Sequence, residues 1–227
     1  MQKLDLIGTA FEALKHFVPF LFALCFHEFA HGWVARLRGD RTAEIMGRLT
    51  LNPLAHADVI GTLVLPLMSI VSGIPFFGWA KPVPVDERNL KNPRTDMFWI
   101  AFAGPLSNLL LALIGAVGLG LFVRFFAPAL MAGEAGVEQI RDIIVIFISI
   151  NVFLAIFNMI PLHPLDGAKV LARFLPERVN EQLEAWSGYT SILLLMIFIS
   201  GGITLIAGPA HWVRNLFMIV AQGVALA

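Results

Sequence analysis

Long apolar stretches separated by short polar loops define the hydrophobic pattern of this 227-residue chain. A helix needs about 20 mostly apolar residues to cross the hydrocarbon core of a bilayer. Five stretches reach or approach that length and a sixth is shorter, at residues 11–37, 59–80, 97–123, 143–162, 186–210 and 215–227. The pattern therefore predicts an all-α polytopic membrane protein with about six membrane-embedded segments.

The composition supports a membrane protein and excludes other classes. Hydrophobic residues make up 58% of the chain and charged residues only 14%, whereas a typical soluble domain has about 25% charged residues. The formal net charge is zero, and no block of Lys and Arg offers the basic surface that nucleic acids require, so we expect no nucleic-acid partner. The single cysteine, Cys25, cannot form an internal disulfide or a thiolate cluster. A metal would therefore have to be held by histidine and carboxylate groups.

The basic residues predict how the segments are oriented, because Lys and Arg concentrate in short cytoplasmic loops. Three loops carry such clusters, with Arg36, Arg38, Arg41 and Arg48 in the first, Lys81, Arg88, Lys91 and Arg94 in the second, and Lys169, Arg173 and Arg178 in the third. Segment 59–80 has a basic loop on each side, so either it is re-entrant or one loop breaks the rule. Its glycines and prolines favour a re-entrant path, which is tolerated where protein or water covers the backbone.

The first segment contains a motif with metal-binding chemistry, His27-Glu28-Phe29-Ala30-His31. Positions i and i+4 share one face of a helix, so both imidazoles can reach one zinc ion. Glu28 is one step round the helix, where it can take a proton from the water that zinc binds. Such a short pattern also arises by chance. Ionisable side chains inside a membrane segment are costly, however, and usually mark a functional site.

Asp166 is the predicted third ligand, because two histidines leave a metal under-coordinated. Pro161 and Pro164 must interrupt the fourth segment near its cytoplasmic end, so the unwound tail can turn back towards the histidines. Gly167 permits the tight turn that would direct the Asp166 carboxylate. The alternative role for Asp166 is a helix cap or a turn residue.

Two asparagines are candidates for binding the substrate. Asn108 lies four positions after Gly104 on one helical face, and Gly104 allows close helix contact. Asn108 could hydrogen-bond a substrate backbone or a ligand carboxylate, although ordinary interhelical bonding explains it almost as well. Asn158 is a candidate for polarising the scissile carbonyl as an oxyanion donor. Its alternative role is again an interhelical amide.

Together these motifs resemble the site-2 protease family of intramembrane zinc metalloproteases. The matching motifs are His27-Glu28-x-x-His31, Gly104-x-x-x-Asn108 and Asn158-x-x-Pro161-x-x-Pro164-Leu165-Asp166-Gly167. The resemblance implies one Zn2+ ion with His27, His31 and Asp166 as ligands and Glu28 as general base. It also implies that the partners are the lipid bilayer and transmembrane substrates, often regulatory proteins. The active site would lie near the cytosolic face of an integral, multi-pass protein of the cell's inner membrane.

The resemblance also suggests how the chain is organised. We expect one transmembrane domain over residues 1–227, with a catalytic core at about 11–175 and accessory helices at about 186–227. Residues 78–85 resemble the family's membrane-associated β-loop, which could pair its backbone with an unwound substrate by strand addition; the alternative is a proline-rich linker. No region is long enough for the PDZ domain that some members insert. His56 has no assigned role. His163 could support a ligand, but we favour the alternative that it is a loop residue.

Two other functions compete with proteolysis. A metal transporter also places histidine and glutamate within membrane segments, but it predicts further ligands on several helices, and the fifth segment is uncharged from residue 186 to residue 210. An inactive homologue would bind membrane segments without cutting them, and the intact Glu28 argues against it. No feature of the sequence fixes the substrate or the oligomeric state.

Overall fold

The computed structural model describes residues 6–66, 68, 78–202 and 204–227, and most of this part of the chain is helical. The helices are α1 (Leu6–Arg38), α2 (Thr42–Ile45), α3 (Pro53–His56), α4 (Pro93–Met131), α5 (Ala135–Asn158), α6 (Asp166–Ala172), α7 (Glu177–Ala185), α8 (Ser187–Ile199) and α9 (Thr204–Leu226). A π-helical segment (Val59–Val64) and a 3-10 turn (Glu87–Asn89) lie between α3 and α4. The predicted all-α class is therefore confirmed.

Three helices in the described ranges are long and apolar enough to cross a membrane, at Phe11–Arg38, Pro93–Met131 and Ala135–Asn158. They overlap the first, third and fourth predicted segments, 11–37, 97–123 and 143–162. The first agrees within one residue, the third is longer at both ends than predicted, and the fourth begins and ends earlier than predicted. The count of six membrane segments stays a prediction.

These three helices pack against one another through small side chains. Ala112 and Ala116 of α4 pack against Ile148 and Val152 of α5, and α9 joins this cluster through Ala210. On the other side of α5, the α1 residues Phe20, Ala23 and Leu24 pack against Leu154. Small residues let helix backbones approach closely, which is how helices associate where no water drives them together. The bundle holds the C-terminal half of α1, where His27 and His31 lie, against α4 and α5.

The predicted boundaries of the last two segments are wrong. The chain was expected to continue as one segment over 186–210 and to start another at 215. Instead α8 ends at Ile199 and α9 begins at Thr204. Gly201 has a φ of +82°, a left-handed conformation that glycine adopts without a steric penalty. Hydrophobicity alone does not detect such a break, because apolar residues continue on both sides of it.

The two ends of the predicted segment 59–80 lie side by side. The amide of Trp79 donates to the carbonyl of Gly61 over 3.1 Å, and the amide of Lys81 donates to the carbonyl of His56 over 2.9 Å. An antiparallel bridge also pairs Ala57 with Ala80. Residues 67 and 69–77 are outside the described part of the chain. The expected β-loop over 78–85 has this one isolated bridge, and no strand is assigned to its residues.

Asp40, just after α1, connects that helix to the chain before α4. Its buried carboxylate accepts hydrogen bonds from the amides of Thr42 (3.0 Å) and Asp86 (2.9 Å) and from the side-chain amide of Asn89 (2.9 Å). Burial alone would raise the pKa of Asp40, but the bonds from Thr42, Asn89 and Asp86 outweigh it and hold the pKa below its ordinary value. The charged form of Asp40 therefore stabilises this connection.

Candidate active site

His27 and His31 lie one helical turn apart on α1, and the structure brings Asp166 to both. The Asp166 Oδ2 atom is 3.0 Å from Nε2 of His27 and 3.3 Å from Nε2 of His31. One potential ligand atom from each of the three residues lies within 4.8 Å of the others. All three predicted metal ligands therefore meet at one point, and they come from two helices that are far apart in the sequence.

The chain between α5 and α6 brings Asp166 to this position. Helix α5 ends at Asn158, and the chain through Pro161 and Pro164 leads to α6, whose first residue is Asp166. A Cβ atom on Gly167 would collide with the carbonyls of Met159 and Ile160. The turn therefore requires glycine at 167, as the sequence predicted, and it folds Asp166 back under the end of α5.

Hydrogen bonds on the far side of each imidazole fix the rings. Nδ1 of His31 lies 2.7 Å from the carbonyl oxygen of Ile100. Since a carbonyl can only accept, Nδ1 of His31 must carry the proton, which leaves Nε2 free to bind a metal. Nδ1 of His27 lies 2.7 Å from Oδ1 of Asn108, which gives the same tautomer. The donor set consists of two imidazole nitrogens and one carboxylate oxygen, and a hydrogen bond orients each imidazole. This donor set fits zinc.

Asn108 is fully buried behind His27 and joins three helices. Its Nδ2 donates to the carbonyl of Ala23 on α1 (3.1 Å) and to Oδ1 of Asn151 on α5 (2.9 Å). Asn151 was not predicted, although a buried amide in an apolar helix is a signal that could have found it. The substrate-binding role for Asn108 stays a prediction, and the geometry gives this residue another task, which is to orient His27.

Gly104 lies directly beneath the two imidazoles. A Cβ atom at this position would lie 2.5 Å from Cε1 of His31 and 2.6 Å from Cε1 and Nε2 of His27. No side chain fits there unless the histidines move. The close helix contact expected at Gly104 is therefore a contact between α4 and the predicted ligands themselves.

Glu28 is buried beside the histidines and is held by a backbone group. Its Oε2 atom accepts a hydrogen bond of 2.8 Å from the amide of Val83. Its other oxygen has no hydrogen-bond partner within the described part of the chain, and the residue lines a cavity. The Val83 contact could not be predicted from the sequence, because every residue except proline carries a backbone N–H.

The cavity has a volume of about 800 Å3 and opens beside the three-ligand group. Its walls combine apolar residues with polar and charged side chains, among them Asp58, Lys81, Asn158, His163 and Lys169.

The Asn158 side chain donates to the carbonyl of Leu154 on its own helix over 3.0 Å, so its oxyanion role stays a prediction. His163 lines the cavity, whereas His56 is buried elsewhere, with Nε2 2.8 Å from the carbonyl of Thr50. A second, mostly apolar cavity of about 360 Å3 shares Gly78, Leu154 and Phe157 with the first.

The fold and site define a helical membrane protein with one His-His-Asp metal group and a neighbouring glutamate. The profile of peptidase family M50 matches residues 16–135 and 122–198. The chain belongs to this family, which is that of the site-2 proteases. Membership makes it a zinc metalloprotease with Zn2+ as its cofactor.

Three curated relatives support the same family. The chain is 37% identical over 183 residues to the provisionally named zinc metalloprotease YwhC of Bacillus subtilis, covering 81% of this chain and 79% of that protein. Two proteins provisionally named zinc metalloprotease Rip2 are also similar. The one from Mycolicibacterium smegmatis is 30% identical, with 78% of this chain and 64% of that protein covered. The one from Mycobacterium tuberculosis is 27% identical, with 86% and 71% covered. No solved structure matches the chain.

Proposed function

We propose that this protein is an intramembrane protease that hydrolyses peptide bonds within or next to the transmembrane segments of other proteins, as in regulated intramembrane proteolysis. One observation carries the proposal. The His27, His31 and Asp166 group and the Glu28 carboxylate lie together at the edge of one cavity. His27, Glu28 and His31 are on α1, which is long and apolar enough to be embedded in a membrane.

His27, His31 and Asp166 are the residues that would hold the zinc ion. When bound, zinc acts as a Lewis acid that polarises a carbonyl and lowers the pKa of water. The hydrogen bonds from Nδ1 of each histidine keep both Nε2 atoms directed at the same point. Gly104 leaves the space that both rings occupy.

Glu28 is the proposed general base. One carboxylate oxygen is held by Val83, so the other is directed to the cavity, where it can accept a proton from the attacking water. The water oxygen forms a bond to the peptide carbon, and the bond to the amide nitrogen breaks. Glu28 then gives the proton to the leaving nitrogen, so the carboxylate is restored at the end of the reaction.

The substrate must enter the cavity in an unwound form, because a helix keeps its peptide groups occupied in its own hydrogen bonds. Residues 78–85 form part of the cavity wall and supply non-helical backbone beside Glu28. An unwound substrate could align along this segment by strand addition. Asn158, in the same wall, could turn its amide from Leu154 towards the scissile carbonyl.

The proposal includes a topology with six membrane-embedded segments and an active site near the cytoplasmic face. Two features support it. The basic loops after α1, before α4 and after α6 would lie on one side of the membrane. The paired ends of segment 59–80 agree with a re-entrant path, since a segment that crossed the bilayer once would have its ends on opposite faces.

A metal transporter is less well supported. The described residues contain one group of three or more side chains that could hold a metal, whereas transport through a membrane requires a series of sites along a path. The intact Glu28 in the cavity wall disfavours a homologue that only binds membrane segments.

Cleavage of a transmembrane peptide in proteoliposomes tests the proposal. The substrate carries the same scissile sequence in two contexts, inside an apolar segment and in a soluble linker, and mass spectrometry locates the cut. We expect cleavage in or next to the apolar segment by the wild type and none by Glu28→Gln. Cleavage confined to the soluble linker, or equal cleavage by Glu28→Gln, would refute an intramembrane protease that uses this glutamate.

A further inference from the structure

Segment 81–86 contacts Glu28 through a single backbone N–H donor. Pro82 and Pro84 flank Val83, and proline has no N–H, so the Val83 amide is the one backbone donor in residues 82–84. That amide donates to Oε2 of Glu28 over 2.8 Å at a buried position. Each proline also disfavours a helical conformation of the residue before it, which favours an extended backbone at Lys81 and Val83.

The first end of the segment is held by Arg48. Its Nη2 atom donates to the carbonyl of Lys81 over 2.7 Å and to that of Pro82 over 3.2 Å. The Lys81 amide is occupied as well, since it donates to the carbonyl of His56. Both backbone groups of Lys81 are thus fixed, two residues before the amide that contacts Glu28.

The second end is held by Asp40. Oδ2 of Asp40 accepts the amide of Asp86 over 2.9 Å, and Oδ1 accepts the side-chain amide of Asn89. Asp40 follows α1 directly, and α1 also carries Glu28. Two hydrogen bonds therefore join segment 81–86 to the part of the chain that runs from Glu28 to Asp40. The Asp86 amide bonds Asp40 at one end, and the Val83 amide bonds Glu28 at the other.

Relying on the proton-acceptor role of Glu28 proposed above, we propose that Arg48 and Asp40 are positioning residues for Glu28. They hold the two ends of segment 81–86 so that the Val83 amide fixes one carboxylate oxygen and leaves the other facing the cavity. A carboxylate that is free to rotate would spend only part of its time in this orientation. A displacement of about 1 Å in a catalytic group can reduce the rate about 100-fold.

Variants of the full-length protein in detergent separate this role from a general effect on folding. Val83→Pro removes the N–H donor, and Val83→Ala trims the side chain but keeps the donor. Arg48→Ala removes both bonds to the segment, and Arg48→Lys keeps a cationic donor. Arg41→Ala is the matched control, because Arg41 lies in the same loop and its Nε bonds Glu44 instead. Zinc content, kcat and KM for a transmembrane peptide, and hydrogen exchange are measured for each.

We expect Val83→Pro and Arg48→Ala to lower kcat by about tenfold or more, with a smaller change in KM and with zinc retained. Val83→Ala should keep more kcat than Val83→Pro, Arg48→Lys should recover part of the loss, and Arg41→Ala should match the wild type. Asp40→Asn should lower kcat and speed exchange at the Val83 amide, which overlapping peptides resolve because residues 82 and 84 have no amide hydrogen.

The outcomes distinguish this inference from the proposed function. If Glu28→Gln abolishes cleavage but Val83→Pro and Arg48→Ala keep the wild-type kcat, the positioning role is wrong and the role of Glu28 stands. If Glu28→Gln cleaves as well as the wild type, the proposed function is wrong, whatever the result for Val83→Pro and Arg48→Ala. Exchange at the Val83 amide gives a test without substrate, since Glu28→Ala must speed it if the hydrogen bond exists. Unchanged exchange in Glu28→Ala would overturn the inference by itself.

Discussion

Asn108 and His27 share a buried hydrogen bond of 2.7 Å between Oδ1 and Nδ1. The direction of this bond follows from the other contacts of the amide. Nδ2 of Asn108 faces two acceptors, the carbonyl of Ala23 and Oδ1 of Asn151, so Oδ1 must be the atom that faces His27. Nδ1 of His27 is therefore the donor, and Nε2 keeps its lone pair for a metal. Asn108 thus sets the tautomer of His27 without touching the nitrogen that would bind the metal.

Removing this bond should weaken metal binding. We expect Asn108→Ala to lower zinc affinity by about 10-fold to 100-fold, the range found when an outer hydrogen-bond partner of a metal-binding histidine is lost. Competition with a chelator measures the affinity. Ser107→Ala is the control, because its hydroxyl bonds the carbonyl of Gly104 and not a histidine. Equal zinc affinity in Asn108→Ala and the wild type would show that His27 does not depend on this amide.

Adding one methyl group at Gly104 should disrupt the site. The Cβ atom of Gly104→Ala would overlap both imidazoles, so the rings must move apart or α1 must separate from α4. We expect the variant to lose zinc and activity. Gly118→Ala on the same helix is the matched control, since no atom lies within 4 Å of its added Cβ. If both variants keep zinc equally, the contact between α4 and the histidines is not as close as described.

The charged Asp40 should make stability depend on pH in the acidic range. Hydrogen bonds hold its folded-state pKa below the unfolded value of about 3.9. Its contribution is therefore fully present above the unfolded value and is lost as the pH falls through the folded-state pKa. We expect Asp40→Asn to lower the melting temperature at pH 7 and the difference from the wild type to shrink below about pH 4.

Melting curves of the two proteins at a series of pH values test this expectation. Glu44→Gln is the control, because the exposed ion pair of Glu44 with Arg41 should contribute little. A difference between wild type and Asp40→Asn that stays constant down to pH 3 would mean that the charge of Asp40 is not what stabilises the connection.

Asn158 gives a test of the oxyanion role. Its amide lines the cavity but donates to Leu154 in this structure, so it must turn towards the substrate during catalysis. We expect Asn158→Ala to lower kcat by about 100-fold or more while zinc content stays the same, as for the loss of one oxyanion donor. A kcat close to that of the wild type would show that Asn158 is not an oxyanion donor and only bonds the end of its own helix.

The sequence predicted which side chains come together better than it predicted the groups that orient them. The spacing of His27 and His31 on one helix, and the proline-interrupted tail before Asp166, were enough to predict that the three side chains meet. The carbonyl of Ile100 and the amide of Val83 were not predictable, since backbone groups have the same chemistry at nearly every position. The turn between α8 and α9 was not predicted for another reason. Apolar residues continue on both sides of Gly201, and it is the backbone conformation of Gly201 that separates the two helices.

The central claim is that Glu28 performs proton transfer at a metal held by His27, His31 and Asp166. Zinc content and cleavage of a transmembrane peptide, measured together for wild type, Glu28→Gln and Asp166→Ala, test it most directly. We predict that Glu28→Gln retains zinc but does not cleave, and that Asp166→Ala loses both zinc and cleavage. Cleavage by Glu28→Gln at the wild-type rate, or full zinc binding by Asp166→Ala, would contradict the account.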